Sequence, residues 1–218
     1  MTSPRALRID AIVADNERSA LVAASEQLGE SLGAATGQPW HIDLRFRGDL
    51  MAVDVLAPPS IVVASLLPEL ARGDEPLAAI EARWRAGLAT LVQDPGPAVL
   101  LCTIFRHVAA APGDARTRMI ERIRRLDRMA IDLSHDTGVG ITDVDRTFAH
   151  LGARYLATDY RMIGALAAEV AAWTLVTAML ARGLDDVIAP DVQEAALRFQ
   201  GPLWEIDRLL RRRLPRAA

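Results

Sequence analysis

The chain contains no lysine; every one of its 25 cationic side chains is an arginine. That excludes Schiff-base chemistry, pyridoxal phosphate anchored in the usual way, and the phosphate loop that depends on its lysine. Cysteine is nearly as scarce. Cys102 stands alone, so an intrachain disulfide scaffold, a zinc knuckle and a thiol relay are all excluded. Basic charge is not in excess either: 28 acidic residues give a net charge of −3 and a pI near 5.8, without the cationic field that holds nucleic acid. Long uncharged apolar runs are missing, since the longest helical apolar stretch, Ala165 to Ala181, carries Glu169 inside it; no membrane span is expected. Met1 to Arg8 lacks the basic start and apolar run of a secretion signal. A cytoplasmic location is expected, and absent lysine with abundant alanine and arginine points to a GC-rich bacterial coding sequence.

What remains is 218 residues, 51% hydrophobic and 24% charged, a balance suited to one folded domain. Short apolar runs alternate with helical stretches. Ile9 to Ala14 (IDAIVA), His41 to Phe46 (HIDLRF), Ile61 to Leu66 (IVVASL), Ala98 to Ile104 (AVLLCTI) and Val139 to Val144 (VGITDV) read as strands. Helices are expected over Glu17 to Ala35, Pro76 to Val92, Arg116 to Leu133, Met162 to Arg182 and Val192 to Leu214. Strands buried on both faces and separated by helices belong to a parallel sheet with right-handed crossovers. The expected fold is therefore a three-layer α/β/α sandwich around a five-stranded parallel sheet, with extra C-terminal helices. Residues 1–183 would form the α/β domain, with 184–218 a helical extension packed on it. Ligands in such sheets sit beyond the carboxyl ends of the strands, near the point where strand order reverses.

Four phrases stand out along these elements: Arg122 to Leu133 (RIRRLDRMAIDL), Gly138 to Asp145 (GVGITDVD), Thr158 to Glu169 (TDYRMIGALAAE) and Pro59 to Leu67 before AVLLCTI. In them the chain resembles the SGNH (GDSL) hydrolases, small α/β esterases, over about Ile9 to Ala181. Asp159 falls where the family's Asp-x-x-His loop has its aspartate, and Gly164 suits the glycine that follows. The resemblance implies a serine nucleophile in a Gly-Asp-Ser phrase after the first strand; here that phrase reads Ala14-Asp15-Asn16. A carboxamide cannot form the acyl-enzyme. The family's histidine would fall at Met162, whose thioether is no general base. Its Gly-x-Asn oxyanion donor after the third strand has no counterpart in Ser65 to Glu69 (SLLPE), whereas Gly48 still suits the second oxyanion donor. Losing triad members leaves only the residual catalysis of binding and oxyanion stabilisation. The expectation is a fold retained after hydrolysis was lost.

Other constellations are weaker. Ser65 with His107 is the best substitute pair by topology, which would make an active esterase with displaced catalytic residues. The plain alternative is a small strand-end residue and a loop residue. Ser134-His135-Asp136 has the look of a triad, but adjacent residues cannot point at one another, and they read as a helix end and turn. His41 begins a strand, and His150 is expected in a loop. Asp132, Asp136, Asp143 and Asp145 lack the spacing of a calcium loop. Asp15 and Asp159 should approach one another and could hold magnesium, although Asp15 more simply accepts backbone N–H bonds at its turn; no metal and no cofactor is expected. Asp15, Asn16, Arg47, Gly48, Asp49, Arg106, Asp159, Tyr160 and Arg161 remain as ligand-binding candidates. Guanidinium groups fork onto carboxylate or phosphate, so the ligand would be small and polar or anionic. The competing reading makes these arginines a solvated rim. The tail, with Val192, Ala195, Ala196, Phe199, Leu203, Ile206 and Leu210 on one face and a break at Gly201-Pro202, should pack on its own domain. A protein partner or a second copy is its other course. Neither nucleic acid nor membrane is expected as a partner.

Overall fold

The computed structural model describes residues 5–73, 75–93, 96–109 and 113–202. Five parallel strands form one sheet: β1 (Arg5–Ile12), β2 (Trp40–Phe46), β3 (Ile61–Ser65), β4 (Ala98–Cys102) and β5 (Gly140–Thr142), in the order β2-β1-β3-β4-β5. The chain winds outward from β1 in both directions, so strand order reverses between β1 and β3, which pair from Ile9 with Ile61 to Ile12 with Ala64. β3 is buried at every residue, as its β-branched run implies for a central parallel strand. At the edge, β2 alternates half-buried and exposed positions.

Helix α1 (Arg18–Thr36) packs with α6 (Ala165–Ala178) and α7 (Pro190–Gln200) on one face. On the other, α2 (Leu77–Leu91) packs with α3 (Gly113–Thr137). This is the three-layer α/β/α sandwich expected from the alternation. Two short helices, α4 (Val144–Leu151) and α5 (Ala153–Leu156), lie between β5 and α6. After α6 a π-helical turn, Met179–Gly183, brings the chain against β3. A Cβ on Gly183 would lie 2.5 Å from Ile61 Cδ1, so only glycine allows that approach. Ala165–Gly183 is long and apolar enough to cross a membrane, yet half of it is buried inside the fold. Its apolar side chains serve the core.

Several boundaries differ from the sequence reading. β1 begins four residues earlier than Ile9, because Arg5 pairs with Trp40 and its guanidinium lies 5.5 Å from that ring. It ends at Ile12, since Val13 and Ala14 leave the sheet for the turn. The last strand is only Gly140–Thr142, because Asp143 caps α4 by accepting from Arg146 N–H at 3.0 Å. His150 accordingly sits in the last turn of α4 rather than in a loop. α7 starts at Pro190 and stops at Gln200, where Gly201 takes φ of 77°. Of the tail face, Ala196 is buried and Phe199 is exposed; Leu203, Ile206 and Leu210 lie outside the described residues.

Candidate functional site

The turn after β1 is the 3₁₀ segment Asp15–Glu17, at the reversal of strand order. Asn16 occupies the corner, and its side-chain amide donates to the backbone carbonyl of Arg161. The carboxamide is therefore already spent on fixing the opposite loop. The Asp15 carboxylate is exposed and ion-paired to Arg18 at 3.0 Å. Among the described residues it does not take the backbone N–H bonds expected of it. Glu17 does, accepting from Ala14 N–H at 2.8 Å while its other oxygen accepts from the Ser65 hydroxyl at 2.7 Å. Glu17 thus ties the turn to the end of β3 from beneath. Burial pushes its pKa up to about 7, against the lowering effect of the Ala14 and Ser65 hydrogen bonds. Burial also raises the nearby Cys102 thiol, helped by Glu17.

Ser65 is fully buried, and its hydroxyl also accepts from Leu67 N–H at 3.1 Å. Among the described residues His107 is not one of its partners. The His107 carbonyl instead accepts from Tyr160 N–H at 2.8 Å, and its ring stands 5.9 Å from Phe105.

The loop carrying Asp159 is strained at both ends, with Ala157 at φ 48° and Met162 at φ 51°. Such left-handed conformations disfavour residues with a Cβ. Asp159 is buried. It accepts from Arg161 N–H and Nε at 3.0 Å and from Nη2 at 2.9 Å. Burial works to raise its pKa, but the Arg161 side chain and backbone, with Ala109 N–H, hold it below the usual carboxylate range. Met162 is buried, and no imidazole stands at that place. The acid that could orient a base is consumed by its own neighbour.

Five of the nine ligand-binding candidates, Asp159, Arg161, Arg47, Gly48 and Asp49, line two depressions on either side of the turn, and Asp15, Asn16, Arg106 and Tyr160 line neither. His107, Asp159 and Arg161 line an open groove of about 390 Å³. Arg47, Gly48 and Asp49 line a more enclosed cavity of about 330 Å³ on the β2 side, together with Arg18, Arg72, Arg83 and Trp84. Arg106 lines neither; it is pinned to Asp145 at 2.6 Å beyond β4. Tyr160 lies under the Arg161 guanidinium at 5.8 Å. Among the described residues, no three acidic, histidine or cysteine side chains are grouped to hold a metal.

Three buried carboxylates were not singled out in the sequence. Asp10, in β1, accepts from Arg47 Nε at 2.8 Å. Glu69 accepts from Trp84 Nε1 at 2.9 Å and Arg83 Nη2 at 2.7 Å. Glu17 is the third. A charged residue inside an apolar strand is a signal for Asp10. A glutamate three residues past Ala14, at the N3 place of a capping box, is one for Glu17.

With this sheet order and these strand-edge loops, the architecture is that of the SGNH (GDSL) hydrolases. Solved structures bear this out. The acetyl xylan esterase AlAXEase aligns with a TM-score of 0.57 at 14% identity, over 78% of this chain and 98% of its own. A putative GDSL-like lipase from Parabacteroides merdae aligns with a TM-score of 0.57 at 17% identity, over 85% of this chain and 98% of its own. An acetyl xylan esterase from Geobacillus stearothermophilus gives 0.54 at 15%, over 87% and 98%. No family model and no curated protein matches the sequence.

Proposed function

We propose that this protein uses the SGNH framework to bind a small polar or anionic ligand as an accessory component of a bacterial pathway, without hydrolysing esters. One observation carries the reading. At the corner where a nucleophile would stand, Asn16 is bonded to the Arg161 carbonyl, while Arg161 also occupies Asp159, the one acid placed to orient a base. Nucleophile, base and orienting acid are thereby all absent or engaged. The esterase and lipase names of the structural neighbours belong to those proteins. Against a displaced pair of Ser65 and His107 stands the complete burial of Ser65 and its bond to Glu17.

The test is turnover of p-nitrophenyl acetate and butyrate, together with labelling by a fluorophosphonate probe. Neither turnover above the buffer rate nor a labelled serine is expected. A covalent adduct mapped to any serine would end the non-hydrolytic reading.

A further inference from the structure

The cavity on the β2 side is donor-rich and short of acceptors. Arg47 is three-quarters buried at its wall and uses only Nε, on Asp10. Among the described residues, its two Nη groups have no partner. Arg72 reaches Glu69 and Glu75 only at 3.7 and 3.8 Å, beyond hydrogen-bond distance. Among the described residues the nearby carboxylates do not pair with the Arg47 Nη groups: Asp49 accepts from Ala52 N–H at 2.9 Å. Both Glu69 oxygens are taken by Trp84 and Arg83, and Asp15 lies out in solvent with Arg18. Arg18 is steadied by the Phe46 ring, 5.0 Å from its guanidinium carbon. Arg47 presents its unpaired Nη groups, and half-exposed Arg72 its guanidinium, at the cavity, where an anion would accept charge-assisted hydrogen bonds from them.

Asp49 also lines the cavity, and most of the remaining lining is apolar. Leu50, Met51, Pro68 and Trp84 face the same space, and Gly87 belongs to this wall. A Cβ on Gly87 would meet Leu50 Cδ1 at 2.9 Å, so the absent side chain is what lets Leu50 pack there. An enclosed space of this size, mostly apolar with a few convergent polar groups, is the usual form of a small-molecule site.

We infer that this cavity binds a small amphipathic anion, its carboxylate or phosphate head on Arg47 and Arg72 and its apolar body against Met51, Pro68 and Trp84. The inference rests on the binding reading above and gives it a ligand class and a place. The groove at His107 and Arg161 is not needed for it. Arg47, fixed by buried Asp10, is a preorganised fork, so little ordering is required when the head group arrives.

Calorimetry with phenylacetate and phenyl phosphate tests it, with benzyl alcohol as the neutral counterpart and acetate and inorganic phosphate as bare heads. At least one aromatic anion should bind with Kd below about 1 mM, and benzyl alcohol and the bare heads at least about tenfold more weakly. Which aromatic anion is preferred separates carboxylate from phosphate recognition. R72Q, which removes a half-exposed guanidinium, and R47K, which keeps a cation beside Asp10 but loses the fork, should each weaken binding about tenfold. Circular dichroism checks that both fold. No heat from either aromatic anion, equal binding of benzyl alcohol, or unchanged affinity in folded R72Q overturns the inference. Ester turnover, measured on the same preparation, reports on the non-hydrolytic reading separately: turnover with anion binding intact removes that reading alone, and silence in both removes only the cavity assignment.

Discussion

Glu17 keeps its proton at a pH where an exposed glutamate has long since lost it, because the charged form would sit fully buried between Ala14 N–H and Ser65. Its folded pKa of about 7 lies above the unfolded 4.5. Its contribution to stability is therefore complete below pH 4.5 and is lost as pH rises through 7. E17Q cannot ionise, so urea unfolding should show a flatter loss of stability between pH 5 and 8. The gain over the parent at pH 8 should be on the order of 3 kcal/mol at most. Asp127 acts in the same direction: burial raises it to about 7, against the Ile104 N–H bond. D127N should therefore also flatten the profile. At the corner itself, N16S should remain unlabelled by fluorophosphonate. A hydroxyl there meets a backbone carbonyl and finds no imidazole, and a lone serine is a poor nucleophile. Covalent labelling of N16S would mean that a base reaches the turn.

At the scale of elements, the loop from Ala157 to Met162 holds Asp159 by accepting left-handed backbone at two residues that carry a Cβ. A157G removes the strain but loosens the unfolded chain. The net stabilisation expected is about 0.5 kcal/mol, read from a small rise in Tm. The π-helical turn after α6 is less forgiving: G183V drives a side chain into Ile61 and should cost about 1–3 kcal/mol by urea denaturation. Sequence periodicity located all five strands and the long helices, because buried parallel strands and amphipathic helices repeat over many residues. It missed α4 and α5, which are too short for a period to show. It also missed the first residues of β1, where Arg5 and Arg8 hide an extended segment whose pairing depends on Trp40 and its neighbours in β2.

For the molecule as a whole, α7 completes the layer that α1 and α6 begin. Buried Gln193 on α7 donates to the carbonyls of Leu184 and Ile188, at 3.2 and 2.7 Å. A chain ended after Gly183 should expose apolar surface of α1 and the end of α6. Its Tm should fall by well over 5 °C in thermal denaturation, with ANS binding to the exposed surface. An unchanged Tm would make residues 184–202 an appendage. The fold likeness to esterases spans nearly the full length of those proteins; it shows a common frame, and function is decided by the side chains that frame carries.

The sequence by itself determined the layered architecture, its five strands and its long helices. These are properties of local pattern, legible wherever periodicity and residue chemistry are written in consecutive positions. Only the tertiary structure decided that Arg161 serves both Asn16 and Asp159, that Ser65 belongs to Glu17, and that Arg47 and Arg106 face different spaces. Each of those pairings but Arg161 with Asp159 joins residues from separate segments of the chain. A hydrogen bond is settled by tenths of an ångström between side chains that the fold, and nothing local, brings together.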